Sequence, residues 1–435
     1  MAAVCILLVV GLPASWAEAV APTSVRPPSS IDHACGSDVS SAMTSWLSSL
    51  PPGALVDASR DCFLVNEGMS LTLSNITISG GTWKDDTRPS PSIPYPDINA
   101  VFWLVGGTDV MLENLNIQGV NGAPYSEGVA FQSGIRSDGV QSLTITNVTV
   151  QNLGGDGITL TGYDWSPYTP TTNAIVSNVI INDVGRQGVT LSDVNGARLS
   201  NIALSDIGLD TFDLESDNYG EVAENITING CTASGGGIFF ANAGEAGGSA
   251  FTGNIVVENC TMEQAQAGDA IFIQTPAGEG VRGPFVFRHD AFECGTSAYV
   301  GCVELMGGDV NIVDSSLTFP SNAEPQYRRV WDVYADSTVD FLNDVVAGYS
   351  AMTEGGGDST GSYSVRGGTW MPWGKGVAPP RTPARSWVVA AQPPVSTPET
   401  PYVIALPLIA LLASGGIVAL QYRRRRAIPK TVGAT

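Results

Sequence analysis

Along much of the chain, apolar side chains recur at every second position in short runs, and each run is interrupted by a single polar residue. The stretches LTLSNITISGG (71–81), VMLENLNIQGV (110–120), LTITNVTVQNL (143–153), AIVSNVIINDV (174–184) and ARLSNIALSDI (197–207) share this pattern. ITINGCTASGG (226–236) and IVVENCTMEQA (255–265) continue it, and VNIVDSSLTFP (310–320) and VDFLNDVVAGY (339–349) are weaker copies. A period of two is that of a strand with one buried face. Recurrence of one such unit every roughly 20–40 residues predicts a solenoid in which neighbouring units share a continuous core.

The residue at which each unit turns is Asn75, Asn114, Asn147, Asn178, Asn201, Gly230 and Asn259. Asparagine and glycine tolerate the left-handed backbone that a sharp bend requires. Stacked amides can also hydrogen-bond from coil to coil. Asn75, Asn147 and Asn259 open N-x-T triplets, which the period explains as bend positions; the triplet at Asn225 falls a few residues early in its unit.

The ends follow other patterns. Val39, Met43, Trp46, Leu47 and Leu50 fall on one face of a helix over 38–50, with Ser37 or Asp38 as cap and Pro51-Pro52-Gly53 as stop. Such a helix would cover the open first coil of a solenoid. Residues 1–19 read as a secretory signal, 20–33 as a flexible lead-in, and 34–374 as the solenoid. The Pro/Ser/Thr-rich stretch 375–401 reads as a stalk, 402–421 as an uncharged transmembrane helix, and 422–435, with Arg423 to Arg426, as a basic cytoplasmic tail. The expectation is a cell-membrane protein with a single pass.

Composition narrows the partners. The net charge is −22, and Lys84, Lys375 and Lys430 are the only lysines, which excludes the basic footprint that nucleic acid needs. Six of the seven cysteines form near-neighbour couples, predicting Cys35–Cys62, Cys231–Cys260 and Cys294–Cys302. Cys231 and Cys260 hold the same place in consecutive units. Coils about 4.8 Å apart bring such a pair within the ~4.4–6.8 Å Cα range of a disulfide.

These units, and the opening DVSSAMTSWLSSLPPGALVDA, resemble right-handed parallel β-helix proteins of the pectate-lyase-like superfamily over residues 34–370. The resemblance implies the fold and leaves the activity open, because that superfamily includes lyases, hydrolases, epimerases, tailspikes and adhesins. The NTD, GHG and RIK runs of polygalacturonase-like enzymes are missing.

Candidate chemistry sits in the second half of each coil, where GGDGITL, GRQGVTL, GLDTFDL, GGGIFF and GDAIFI align. One column then reads Asp156, Gln187, Asp210, Gly236, Asp269, and a second Thr159, Thr190, Asp213, Phe239, Phe272. Asp156, Arg186, Asp210 and Asp213 are the candidate catalytic residues, since carboxylates on neighbouring coils suit glycoside hydrolysis. Asp210, Asp213, Glu215 and Asp217 form a candidate calcium set. Tyr163, Trp165 and Tyr168, with Glu215, are candidate ligand contacts. The reading favoured by the sequence is a membrane-anchored surface protein that binds polysaccharide or another extracellular ligand. The alternative is a glycoside hydrolase or polysaccharide lyase acting on an acidic polysaccharide.

Overall fold

In the computed structural model the alternating runs become strands that pair in parallel with the corresponding run one repeat later. It describes residues 24–373 apart from 89–98, 163–168, 217–219, 235–238, 244–250, 264–268, 275–282, 296–301, 324–327, 335–336 and 352–360. The chain divides into two compact units, Met1–Ala384 and Arg385–Thr435, and every described residue belongs to the first. Its described residues form a parallel β-helix: all-β, with one short α-helix among them.

Three sheets run its length. The first, called the site sheet below, includes Gln132–Asp138, Ile158–Thr161, Val189–Leu191, Phe212–Ser216, Phe239–Ala243, Ile271–Gln274, Val303–Met306 and Trp331–Val333. The other two are joined by a bend inside single long strands such as Gln141–Leu153, Thr171–Val184 and Val194–Ile207. Most inward positions on all three are apolar and stack on their equivalents. Ile145, Val176, Leu199 and Ile228 pair in register and are buried, as are Val150, Ile181 and Leu204. Toward the N-terminal end Phe63, Trp83 and Phe102 stack with centroid separations of 4.7 Å.

The bend is where the sequence pattern acts. Asn114, Asn147, Asn178, Asn201 and Asn259 all have φ between 54° and 58°, and Gly230 between them has φ 70°. Asn147 Nδ2 donates to Asn114 Oδ1 at 3.3 Å, and Asn201 Nδ2 to Asn178 Oδ1 at 3.1 Å. The column continues through His289, Asp314 and Asn343, so His289 is a bend residue and not the strand residue its neighbours suggest. Asn75 falls elsewhere. Ile76 pairs with Val110, which aligns Asn75 with Asp109 and puts Gly80 opposite Asn114. A second left-handed column thus runs Asn75, Asp109, Ser142, Asn173, Gly196, Asn225, Asn254. It accounts for Asn225, whose Nδ2 donates to Asn195 Oδ1 at 2.9 Å.

The helix spans Ser40–Ser48, shorter than 38–50, and buries Met43 and Leu47 against the first coils. Asp38 Oδ1 accepts from Ser40 N at 3.1 Å and from Ser40 Oγ at 2.6 Å. Ser24–Val25 already pair with Leu55–Val56, so the solenoid begins inside the supposed lead-in. Disulfides join Cys35 to Cys62, Cys231 to Cys260 and Cys294 to Cys302, with Cα separations of 5.0, 4.4 and 5.1 Å.

The membrane reading is corrected. Among the described residues no helix is long and apolar enough to cross a membrane, so the transmembrane helix, the membrane as partner and the single-pass topology are not supported. The stretches that prompted them, 1–19 and 375–435, lie outside the described residues.

The inward position just after the Asn bend has an unexpected occupant in the later coils. It reads Val148, Val179, Ile202, Cys231, Cys260, then Asp290, Ser315 and Asp344. Each polar side chain caps the coil before it. Asp290 Oδ1 accepts from Cys260 N at 2.8 Å, Ser315 Oγ from Asp290 N at 3.0 Å, and Asp344 Oδ1 from Ser315 N at 2.7 Å. The second oxygens, Asp290 Oδ2 and Asp344 Oδ2, are buried with no hydrogen-bond partner. Burial pushes the Asp290 carboxyl up to about 7 and the Asp344 carboxyl up to about 8, against the pull of the backbone donors. Glu258 and Asp314 add to the rise, and Arg288 opposes it at Asp290.

Two predictions follow from these columns. Between about pH 4 and pH 8 the folded state holds protons that the unfolded chain, with Asp near 3.9, has released. The contribution of both carboxyls therefore favours folding at acidic pH and is lost as pH rises to 8. Asp290→Asn with Asp344→Asn keeps the Oδ1 acceptors and should flatten that decline, read as denaturant midpoints at pH 5 and pH 8. At the bend, Asn178→Ala should cost about 1–2 kcal/mol, because alanine keeps the β-carbon that opposes left-handed backbone but loses the side-chain amide that offsets it, whereas Asn178→Gly should cost less.

Candidate functional site

The outward positions of the site sheet carry the candidate chemistry. Strand register sets Trp103, Arg136, Thr159, Thr190, Asp213, Phe240, Phe272, Glu304 and Asp332 in one line along the solenoid. Phe240, not Phe239, follows Asp213. Phe239 pairs with Phe212 and lies in the core, so the GGGIFF alignment is corrected by one residue. Asp156, Gln187 and Asp210 form a parallel line at the bends that lead into these strands.

Close stacking of those bends selects their glycines. Gly157 N donates to Gln187 O, and Gly188 N to Asp210 O, each at 2.9 Å. A β-carbon on Gly188 would lie 2.6 Å from Thr211 O, a contact that backbone cannot relieve. The flanking Asp156, Gln187 and Asp210 are thereby stacked one coil apart.

Asp156 is the centre of the resulting network. Its Oδ2 accepts from Thr159 Oγ1 at 2.9 Å and from Thr190 Oγ1 at 3.1 Å, and Arg186 Nη1 lies 3.5 Å away. Its Oδ1 accepts from Gln187 N at 3.3 Å. Gln187 Nε2 in turn donates to Asp213 Oδ2. Gln187 therefore links two carboxylates two coils apart. Both are buried, Asp213 completely. Arg186 lies at the rim with 23% of its side chain exposed, its guanidinium 5.8 Å from the centre of the Phe131 ring. Burial pulls the Arg186 pKa down, but Asp156, Asp213 and Glu215 outweigh it and the net direction is upward. The cation is permanent.

Asp156, Arg186 and Asp213 thus meet in one network. Asp210 is buried one coil from Gln187, and Glu215 is half-buried two residues beyond Asp213. Tyr163, Trp165, Tyr168, Asp217 and Gly236 lie outside the described residues. Among the described residues no three His, Cys, Asp or Glu side chains come together as a metal site, so Asp210, Asp213 and Glu215 alone do not make one. No step is assigned to calcium.

Sequence reasoning passed over Trp103, Arg136 and Asp138. SGIRSDG (133–139) pairs with DGITLTG (156–162) residue for residue from Ile135 and Ile158 onward. The shared glycine spacing was the available signal. It stands before the first asparagine-marked unit with an aligned second half, and its polar side chains disguise the strand.

Comparisons with known proteins agree on the architecture. A family model described as "Right handed beta helix region" matches residues 99–277. No curated protein sequence is similar to the chain. Among solved structures, endo-xylogalacturonan hydrolase from Aspergillus tubingensis superposes with a TM-score of 0.56 at 15% identity, covering 80% of this chain and 100% of that one. The tailspike protein of E. coli bacteriophage HK620 superposes with a TM-score of 0.56 at 14% identity, over 78% of this chain and 64% of the tailspike. The same tailspike in complex with a pentasaccharide gives 0.54. At these identities the likeness establishes the fold alone, a right-handed parallel β-helix.

The Gln187 link can be tested directly. Gln187→Leu removes the amide donor to Asp213 and should destabilise the fold by roughly 1–3 kcal/mol, the usual cost of a buried polar group left without its partner. The measurement is a shift in denaturant midpoint at unchanged slope.

Proposed function

We propose that the protein is a carbohydrate-active β-helix that hydrolyses glycosidic bonds in an acidic polysaccharide, with Asp156 and Asp213 as the working carboxylates. The observation that carries this reading is the pair itself, two buried carboxylates on one outward face, joined through Gln187 with Arg186 at the rim. The two residues lie two coils apart and out of register, and both carboxylates accept from Gln187. Two carboxyl groups that admit a water beside the scissile bond stand ~6.5–9.5 Å apart.

In such a reaction one carboxyl protonates the departing glycosidic oxygen as its bond to the anomeric carbon breaks. The other takes a proton from the water that attacks that carbon from the opposite face. Arg186 stabilises negative charge at the rim. The fold neighbours include a hydrolase and a tailspike solved with a pentasaccharide, which supports a glycan as ligand without identifying it.

A second reading, binding without turnover, is favoured by one specific observation. Asp213 has no exposed surface and Asp156 already accepts four contacts, as residues that hold a scaffold rigid do.

The two readings part in one experiment. The chain is incubated with polygalacturonate, alginate, hyaluronate and xylogalacturonan, and new reducing ends are counted. Hydrolysis should appear on at least one polymer and fall at least roughly 100-fold in Asp213→Asn and in Asp156→Asn, with binding retained. Binding to a polymer with no release of reducing ends by the wild type would leave only the second reading.

A further inference from the structure

Trp103, Arg136 and Asp138 lie beside the Asp156 network on the same sheet but take no part in it. Register sets Trp103 opposite Arg136 and Arg136 opposite Thr159, on successive coils of the outward face. Asp138, two residues after Arg136, returns to that face. It is 7% exposed, and its oxygens are divided between two neighbours. Trp103 Nε1 donates to Asp138 Oδ2 at 2.7 Å, and Arg136 Nε donates to Asp138 Oδ1 at 2.7 Å. One carboxylate therefore fixes the orientation of both the indole and the guanidinium.

What this leaves open is specific. Arg136 is held through Nε, its terminal Nη groups make no hydrogen bond among the described residues, and 19% of its side chain is exposed. Two open Nη groups on an oriented guanidinium present the planar fork that matches a carboxylate. The half-buried indole beside it supplies a flat face of the kind on which a sugar ring rests.

The surroundings favour an acid at this place and disfavour it farther along. The chain carries a net charge of −22. Beyond Thr190 the outward line continues with Asp213, Phe240, Phe272, Glu304 and Asp332. Arg136 is the cation of this outward line and meets Asp138 through Nε alone, whereas Arg186 at the neighbouring rim turns an Nη group to Asp156. A polyanion meets the carboxylates of Asp213, Glu304 and Asp332 farther along, whereas at this end Arg136 balances Asp138 and still offers Nη donors.

We propose that Trp103 and Arg136, oriented by Asp138, form a subsite that reads the carboxylate of an acidic sugar. This rests on the carbohydrate reading above and gives it a substrate class, a uronate-bearing polysaccharide. Arg136 is one coil, about 4.8 Å, from the strand that follows Asp156. The subsite and the carboxylate pair therefore serve one continuous run of sugar residues. Asp138 is a positioning residue: it acts through Arg136 and Trp103.

The test compares polygalacturonate, alginate and hyaluronate, each beside the same polymer with its carboxyls reduced to alcohols, in equilibrium binding to the full chain at fixed salt. The wild type should prefer the acidic form of at least one polymer. Arg136→Met should weaken binding to that form by roughly 10- to 100-fold, the range for a charge-assisted hydrogen bond, and leave binding to the reduced form unchanged. Arg136→Lys keeps the charge without the fork and should recover only part of the preference. Trp103→Ala should weaken both forms alike. A preference that survives Arg136→Met, or a wild type that holds the reduced form as tightly as the acid, overturns the subsite while glycan binding stands. Binding to none of the six polymers counts against both the subsite and the carbohydrate reading.

Discussion

Every coil of this molecule must bring the chain back into register with the coil before it, and the left-handed bends make that possible. A residue with φ near 55° redirects the strand within one position, and at Asn114–Asn147 and Asn178–Asn201 the side-chain amides bond to each other across adjacent coils. The stacking therefore repeats at the turns as well as along the strands. Loop length between the bends is left free. Asn114 and Asn147 are 33 residues apart and Asn178 and Asn201 only 23, yet both pairs meet. The sheets, the core and the site face all inherit their alignment from these columns.

The site uses that alignment to keep buried charge in order. Asp156 would be costly to bury alone, but donors from its own coil and from the next one surround it. Gln187 extends the same logic to Asp213. At the far side of the solenoid, Asp290 and Asp344 solve a different problem, giving one oxygen to a backbone N–H of the preceding coil. Their other oxygen has no such donor, and the carboxyls hold their protons further up the pH scale.

How legible this was in the sequence depends on where a period could be counted. From Val110 to Ile207 the alternation and its asparagines fix strands, bend and register, because each unit repeats both the apolar spacing and the turning residue. Asn75 misled because two bend columns use the same residue type, and only pairing with the following coil tells them apart. Phe239 misled because a site-sheet strand is so short that two adjacent phenylalanines leave its register undetermined. Asp156, Arg186 and Asp213 were found by alignment. Gln187, which connects two of them, looked like a gap in a column of acids. Arg136 and Asp138 escaped because the inward positions around them are Ser133, Ile135 and Ser137, so the strand loses the apolar alternation by which strands are recognised.

Because in-register stacking is demanded and loop length is not, this architecture treats gains and losses of sequence unequally. Removal of a whole turn, bend to bend, would rejoin surfaces that already match and simply shorten the site face. Loss of Val179 would turn the rest of the strand over and put Ile180, now half exposed, into the core. The length of the site face is thus an adjustable quantity, set by the count of turns on either side of Asp156, whereas the geometry at any one turn is held fixed by its neighbours.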